Sequence, residues 1–381
     1  MTVEEMRWDL TQLVKDSEPD SIVEEMNRAV DEARKLRDEY RGKIDQTDAD
    51  GLLRVLERKD EMELEFEGPF MFSSLMYSAD STTDTAKRLF DTARNAGMKI
   101  GQAMAFLDLE IGELLSEKPE IVDDPKLSEY NHYLKRIKRR IPHMLSEKEE
   151  QLIITKDKNG INAWQQLQGD WLSTRTFDIE IDGEKKTMPY GEIIGLYQHT
   201  DRDVRKRANK TVYEGLGEDD ILWASAIRSV CSDHLQMCQL RNYESSMTQS
   251  LIANDVHKEA IDALMETIEA NVDLYRDYLR MKAKMMNLKR LGNWDIVAPL
   301  PNAPEKKYGR HETRDEVVGA YTSFDAQVGQ WVDEMFEKHH IDSEVRKGKR
   351  SGAFCASWLA GKSAYILSSF NGQLGDVFTL A

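Results

Sequence analysis

The segment Lys347–Ala381 reads KGKRSGAFCASWLAGKSAYILSSFNGQLGDVFTLA and carries the most specific pattern in the chain. Two runs within it, SGAFCASW and AYILSSF, have a β-compatible composition and are separated by a short loop that contains Gly361. We predict that Ser351–Ser357 forms an edge strand of a small sheet and that Tyr365–Phe370 joins the same sheet. Further on, Asp376 is a good helix N-cap ahead of an apolar run, so a helix is expected to begin near it.

Helical periodicity dominates the rest of the chain. In SIVEEMNRAVDEARKLRDEY (21–40) the apolar residues recur at three- and four-residue steps. In IDALMETIEANVDLYRDYLRMK (261–282) they draw one continuous stripe, which is typical of an amphipathic helix. Three capping-box sequences predict helix starts: Ser21 with Glu24, Ser146 with Glu149, and Thr313 with Glu316.

Strand signals are few outside the C-terminal segment. The run FDIEIDGEKKTM (177–188) alternates apolar and polar residues up to Asp182-Gly183, a pair that favours a two-residue hairpin turn. The run PLPNAPEKKYG (299–309) is a loop because its three prolines prevent a helix. The sequence therefore predicts a mainly α protein, a large helical scaffold with one β-hairpin and a small C-terminal β-sheet.

Composition excludes several classes of protein. The chain has 381 residues, is 40% hydrophobic and 32% charged, and has a net charge of −17. Such an acidic balance argues against nucleic acid or an anionic membrane as a partner, since both require a basic surface. No apolar stretch approaches the roughly 18 residues of a membrane span, and the N-terminus MTVEEMRWDL does not resemble a secretory signal. Three cysteines make no disulfide framework, so we expect a reducing, cytoplasmic setting.

Spacing alone identifies no catalytic or metal site. Cys231, His234 and Cys238 share one predicted helix face and could hold a soft metal, but packing in the core is the favoured interpretation. His311-Glu312 lacks the second histidine that a zinc-binding helix requires. His339-His340 follows a predicted helix end, where histidines can interact with the last carbonyl groups.

The C-terminal segment resembles oligoendopeptidase F, a cytosolic zinc endopeptidase related to thimet oligopeptidase. The family pattern Gly-Lys-(Arg)-x-Gly-Ala-Phe is matched at 348–354, Tyr-Ile-Leu-x-x-Phe at 365–370, and Asp-Val-x-Thr-Leu at 376–380. One departure is Ala364, where many relatives have proline. Weaker similarity to the family extends over essentially residues 6–381, in the following runs: WDLTQLV (8–14), PHMLSEKEEQLI (142–153), AWQQL (163–167), RNYESSMTQSLIANDV (241–256) and NWDIVAPL (293–300).

The resemblance implies a domain organisation and a site. It implies an N-terminal helical region over 1–110, an oligoendopeptidase N-terminal domain over 111–195, and the first part of the zinc peptidase domain over 196–381. Short peptides are the implied substrates, and zinc is the implied cofactor of the full-length protein. Gly352, Ala353 and Phe354 are the implied substrate-binding residues, because such an edge strand can pair with an extended peptide through its main chain.

The resemblance also implies where the catalytic groups lie. In the family, His-Glu-Leu-Gly-His follows the Asp-Val-x-Thr-Leu pattern, and a further glutamate ligand comes from a later helix. We therefore expect the 381 residues to be the N-terminal part of a metallopeptidase, with no catalytic residue and no metal ligand of their own, and to be inactive alone. The alternative is a metal-free helical peptide-binding or interaction protein on the same scaffold.

Overall fold

The computed structural model describes residues 7–301 and 306–381, and helices hold most of them. The first nine helices are α1 (Pro19–Tyr40), α2 (Ala49–Ala79), α3 (Asp84–Glu117), α4 (Asn131–Arg140), α5 (Glu147–Asn159), α6 (Ile161–Thr174), α7 (Tyr190–Ile193), α8 (Arg202–Gly217) and α9 (Asp220–Leu240). The remaining six are α10 (Thr248–Ala253), α11 (Lys258–Ala270), α12 (Val272–Met285), α13 (Arg310–Phe324), α14 (Ala326–Glu337) and α15 (Leu374–Leu380). The five strands are β1 (Thr176–Ile181), β2 (Glu184–Pro189), β3 (Ile341–Asp342), β4 (Phe354–Trp358) and β5 (Ser363–Leu367).

The prediction of a mainly α scaffold with one hairpin and a small C-terminal sheet is confirmed. Among the described residues, no helix combines the length and the apolar character that crossing a membrane requires. The predicted loop over 299–309 is only partly described, because residues 302–305 lie outside the described ranges. The opening residues 1–6 also lie outside them.

The long helices α1, α2 and α3 supply two adjoining cores. In one, Ile22, Met26 and Val30 of α1 pack with Leu75 of α2 and Leu89 of α3. The periodicity read over 21–40 therefore marks a buried face. The other core brings α4 against α2 and α3 through the following buried residues: Leu52, Leu56, Phe106, Ile111, Leu134 and Ile137.

The hairpin turns where the sequence predicts it. Asp182 and Gly183 have φ of 54° and 80°, the left-handed values that a type I′ turn requires at both central positions. Strand β1 pairs antiparallel with β2 from Thr176↔Pro189 to Ile181↔Glu184. Its inward-facing residues pack against α8 in a separate small core, formed mainly by Phe177, Ile179, Ile181, Val204, Ala208 and Val212.

The C-terminal sheet has the strand order β3-β5-β4. The central strand β5 pairs parallel with β3 and antiparallel with β4, in the register Phe354↔Leu367 to Trp358↔Ser363. The prediction that this region forms an edge strand is confirmed, although the strand begins at Phe354 and not at Ser351. The reason is Gly352, whose φ of +88° interrupts the extended conformation.

Of the predicted helix starts, the one at Ser146 is confirmed. The Glu149 carboxylate accepts from the Ser146 backbone N–H at 2.8 Å, and Ser146 Oγ accepts in return from the Glu149 N–H. The start at Ser21 is wrong because Pro19 begins α1, its fixed φ being suited to the first turn. Ser21 Oγ instead donates to Asp16 at 2.6 Å.

Two further starts are displaced. Helix α13 begins at Arg310, which places Thr313 inside the helix, where its hydroxyl donates to the Gly309 carbonyl at 2.9 Å. Helix α15 begins at Leu374, which confirms a helix start near Asp376, but Asp376 lies in its first turn and is not the N-cap. The Asp376 carboxylate accepts from the backbone N–H groups of Asn371 at 2.8 Å and Gln373 at 2.9 Å, which explains why an aspartate stabilises this helix start.

The stripe predicted over 261–282 is divided between two helices and faces outward. Helices α11 and α12 meet at Asn271, whose φ of −111° departs from helical geometry. Leu264 is 54% exposed, Ile268 52% and Tyr275 55%. Within the described residues the stripe therefore does not form a core.

Candidate substrate-binding edge

The feature of the sheet that can bind another chain is the outer edge of β4. Strand β5 occupies one side of β4, and within residues 7–301 and 306–381 no strand pairs with its other side. Phe354, Ala356 and Trp358 pack towards the helical core, whereas Cys355 and Ser357 are exposed. Alternate side chains are therefore fixed on one face while the edge presents main-chain N–H and C=O groups.

The three residues predicted to bind substrate lie together at the start of this strand. Gly352 and Ala353 are exposed, and no heavy atom lies within 4 Å of the position that a Cβ on Gly352 would occupy. Phe354 is half-buried against Trp8, with ring centroids 6.4 Å apart. Gly352 and Ala353 therefore leave the backbone accessible, whereas Phe354 anchors the strand to the helices.

A buried ion cluster holds the loop that leads into β4. Lys349 is 4% exposed, and its Nζ lies 2.6 Å from Asp342 Oδ1. The same ammonium donates to the carbonyls of Glu344 at 2.8 Å and Ser368 at 2.7 Å, and Arg346 pairs with both Asp342 oxygens at 2.9 and 2.8 Å. Burial lowers the pKa of Lys349 to about 8, against the opposing attraction of Asp342.

The same loop is bonded through its backbone to two helices. Gly348 N–H donates to the Ser173 carbonyl of α6 at 2.8 Å, and Arg350 N–H donates to the Ser78 carbonyl of α2 at 2.9 Å. Gly348 has φ +87°, and a Cβ there would meet Asp80 Oδ1 at 2.7 Å, so only glycine fits this contact. Backbone bonds to α6 and to α2 thus fix the loop that leads to Gly352.

The far end of β4 is held by Glu67 of α2. Its two carboxylate oxygens accept from the backbone N–H groups of Leu359 at 3.0 Å and Ala360 at 2.8 Å. These bonds connect the β4–β5 turn to a helix nearly 300 positions earlier in the chain. Both ends of the edge strand are therefore fixed, which favours a preformed binding edge.

His340 belongs to the support of the sheet and not to a catalytic group. It is 1% exposed, its ring stacks on Tyr365 with centroids 4.3 Å apart, and Nδ1 lies 3.0 Å from Ser363 Oγ. Burial lowers the pKa of His340, so the neutral ring is favoured. His339, with a φ of 54°, does lie just past the end of α14, but sequence reasoning missed the buried role of its neighbour.

The cysteine and histidine residues of α9 do not fit a zinc ion. His234 Nε2 is bonded to the Ser246 carbonyl at 2.7 Å and lies 3.6 Å from Cys238 Sγ, while Cys231 is exposed. The core-packing interpretation is thus right for Cys238 and wrong for Cys231. Over the described ranges, no group of three or more potential ligands converges on one point.

The fold is that of solved oligoendopeptidases. Over 86% of this chain it matches 63% of oligoendopeptidase-F from Enterococcus faecium, with a TM-score of 0.65 and 22% identity. It also matches PZ peptidase A, with a TM-score of 0.67 and 14% identity over 98% of this chain and 62% of that one. These two likenesses concern the fold alone.

Two family models match parts of the chain. A model described as Oligopeptidase F matches residues 117–177, and one described as Peptidase family M3 matches residues 196–381. The chain belongs to peptidase family M3.

Curated relatives extend the similarity along the chain. Oligopeptidase PepF of Bacillus subtilis is 25% identical over 90% of this chain and 51% of its own length. An oligoendopeptidase F homolog of Lactococcus lactis is 24% identical over 99% of this chain and 63% of its own length. The chain thus spans between about half and two thirds of the length of these relatives.

Proposed function

We propose that this chain is the peptide-binding, N-terminal part of a cytoplasmic zinc metalloendopeptidase that hydrolyses short oligopeptides. The observation that carries the proposal is the outer edge of β4, which follows the open backbone at Gly352 and is held at both ends. Membership in peptidase family M3 and the names of the curated relatives support a peptidase. Three unpaired cysteines agree with a reducing compartment.

The edge binds peptide through the main chain. An extended substrate adds to β4 as a further strand, its amides pairing with backbone groups whose positions do not depend on the substrate sequence. Gly352 and Ala353 permit close approach at one end of this added strand. We also propose the division into 1–110, 111–195 and 196–381 that the family resemblance implies. Substrate binding is assigned to the last of these regions.

Zinc belongs, in this proposal, to the complete enzyme. The sequence His-Glu-x-x-His does not occur in the 381 residues. A catalytic zinc site takes three protein ligands and generates hydroxide from bound water near neutral pH. We therefore expect the 381-residue chain to bind peptides without cleaving them.

Peptide binding is tested with backbone methylation. A strand that adds to β4 directs every second amide towards it, so N-methyl groups on one alternating set block pairing and those on the other set do not. We expect one of two methylated octapeptides to lose affinity about tenfold or more, while its partner binds like the parent. Equal affinity for both would contradict pairing along an edge strand.

Catalytic competence is tested separately. The 381-residue chain and the product of the complete gene are assayed with a quenched-fluorescent peptide, with and without chelator. Chelator-sensitive cleavage by the complete product alone supports the proposal, and cleavage by the 381-residue chain overturns the assignment of the zinc ligands. A stop codon directly after Ala381 would favour the rival, a metal-free helical peptide-binding protein.

A further inference from the structure

An apolar groove of about 710 Å³ runs between helix α2, helix α3 and strand β4. Phe66, Phe70 and Met71 of α2 and Ile100 of α3 supply its apolar wall. A side chain as large as phenylalanine or leucine fits into a space of this size. None of the residues that line this groove belongs to the three family motifs or to the predicted substrate-binding residues.

The groove reaches the outer edge of β4. Ala356 and Ser357 both line it, although consecutive strand residues direct their side chains to opposite faces of a sheet. Two successive residues can line one groove when it passes along the edge of their strand. A peptide paired with that edge would therefore place alternate side chains over the groove.

The rim of the groove is acidic. Asp60, Glu63 and Glu67 contribute to its lining, and Lys59 lies 3.4 Å from Asp60 and 2.6 Å from Glu63. The oxygens of Glu67 accept from two backbone N–H groups, and within the part of the chain that the structure describes no cation pairs with them. Arg28 lies 5.4 Å from the ring centre of Phe66, but it is paired with Glu65. Three lining carboxylates thus face one lysine, which Asp60 and Glu63 share.

We propose that this groove, which we call the α2–β4 groove, binds a bulky apolar side chain of a peptide that carries a positive charge close to that residue. The proposal rests on the proposed function, in which the peptide pairs with β4. The apolar wall binds the side chain through burial, and the acidic rim attracts a neighbouring lysine, arginine or free amino group. The groove therefore selects among the sequences that main-chain pairing alone would accept.

A glycine in the wall allows the groove to be filled without disturbing the core. Gly97 lies within α3 and lines the groove, and a Cβ there would meet no heavy atom within 4 Å. Gly97→Leu places a side chain in the groove and replaces a glycine in a helix interior by a good helix former. Loss of binding in this variant cannot then be attributed to unfolding, because the urea midpoint should stay the same or rise.

The matched control is Gly319→Leu. Gly319 lies inside α13, away from the groove, and the position of its Cβ is equally open. The same substitution in the same kind of backbone therefore leaves the groove empty. Urea unfolding of both variants verifies that they fold.

The first experiment uses small probes that cannot pair with a strand. Binding of 2-phenylethylamine, a cation, and 3-phenylpropionate, an anion of similar size, is measured by ligand-observed NMR. We expect the cation to bind about fivefold or more tightly than the anion, and the preference to fall as salt is added. Gly97→Leu should abolish binding, while Gly319→Leu should leave it within about twofold. Equal affinity for both probes, no binding of the cation, or binding unaffected by Gly97→Leu would overturn the proposal.

The second experiment separates the groove from the edge. Octapeptides with a central Phe-Arg, Gly-Arg or Phe-Glu are compared on the 381-residue chain and on both variants. Tightest binding of the Phe-Arg peptide, lost in Gly97→Leu, supports the groove. Equal binding of all three peptides overturns the groove and leaves pairing with β4 intact. Binding of 2-phenylethylamine without binding of any octapeptide supports the groove and counts against the edge.

Discussion

Lys349 illustrates how much one residue does for the binding edge. The run RKGKR (346–350) is locally basic, and the structure buries the ammonium of Lys349 beside Asp342 and among backbone carbonyls. A buried ammonium is stable only when its donors find partners, and here those partners connect β3, β5 and the loop before β4. Lys349 is a positioning residue for the edge strand.

Replacing this lysine should cost considerable stability. Lys349→Met leaves three carbonyl groups without their donor and Asp342 with Arg346 alone, so we expect a loss of about 3 kcal/mol in the free energy of unfolding. Urea denaturation at pH 7 measures this difference. The control is Lys347→Met, because Lys347 is exposed and should tolerate the change within about 0.5 kcal/mol. Equal stability of the two variants would contradict the buried role.

The lowered pKa of Lys349 also predicts a pH dependence. Burial lowers this pKa to about 8 from the ordinary 10.5, so between these values the unfolded chain binds more protons at this site than the folded chain. The contribution of Lys349 to stability should therefore rise with pH from about 8 to 10.5. The measurement is the stability difference between the natural chain and Lys349→Met across that window, in which titrations common to both cancel. A difference that falls with pH would show that the folded pKa is raised.

Gly352 is predicted to be required for its backbone conformation and not for lack of room for a side chain. Its φ is +88°, and the position of a Cβ there is open, so Gly352→Ala meets conformational strain without a clash. We expect a loss of about 1 kcal/mol in the free energy of unfolding. Gly319→Ala, in a regular helix, should instead stabilise by a similar amount. A neutral Gly352→Ala would indicate that the bend before β4 is not needed.

At the scale of elements, the exposed thiol of β4 reports on its edge. Cys355 is exposed on the strand, whereas Cys238 is buried. In a chain with Cys231→Ser, alkylation by iodoacetamide should therefore report mainly on Cys355. Saturation with a bound octapeptide should slow it several-fold, because the added strand places neighbouring side chains beside the thiol.

The control for this prediction is the peptide whose pairing amides are methylated. At the same concentration it should leave the alkylation rate of Cys355 unchanged. Protection by both peptides would indicate that they cover the thiol without pairing with the strand. No protection by the parent peptide, when binding is measured independently, would place its site elsewhere on the molecule.

Local signals explain which elements could be predicted from the sequence. The β1–β2 hairpin follows from Asp182-Gly183, and β4 and β5 follow from composition, because these signals act over a few residues. Strand β3 has two residues and exists because it pairs with β5, which leaves no local signature. Likewise, the bonds from Glu67 to the β4–β5 turn and the α2–β4 groove join distant parts of the chain. The edge could be predicted, but what fixes it and what lies beside it could not.

At the scale of the whole molecule, the outward stripe of α11 and α12 leaves apolar side chains exposed to solvent. Its exposed large apolar residues are Leu264, Met265, Ile268, Val272 and Tyr275. A row of exposed apolar side chains on one helix face is a candidate interaction site on a folded protein. Its amphipathic period was readable from the sequence, but its exposure was not, because periodicity identifies an apolar face and not what covers it.

We predict that the 381-residue chain self-associates through this stripe. Leu264→Lys, Met265→Lys and Ile268→Lys, made together, remove three exposed side chains whose burial would contribute about 1.5–3 kcal/mol each. The triple variant should therefore sediment as a monomer at concentrations where the natural chain forms larger species. It should keep its helical circular dichroism, since exposed positions tolerate polar residues. Phe324→Lys is the control, because this side chain is 86% exposed on α13 and lies outside the stripe. A monomeric natural chain, or association unchanged in the triple variant, would contradict the prediction.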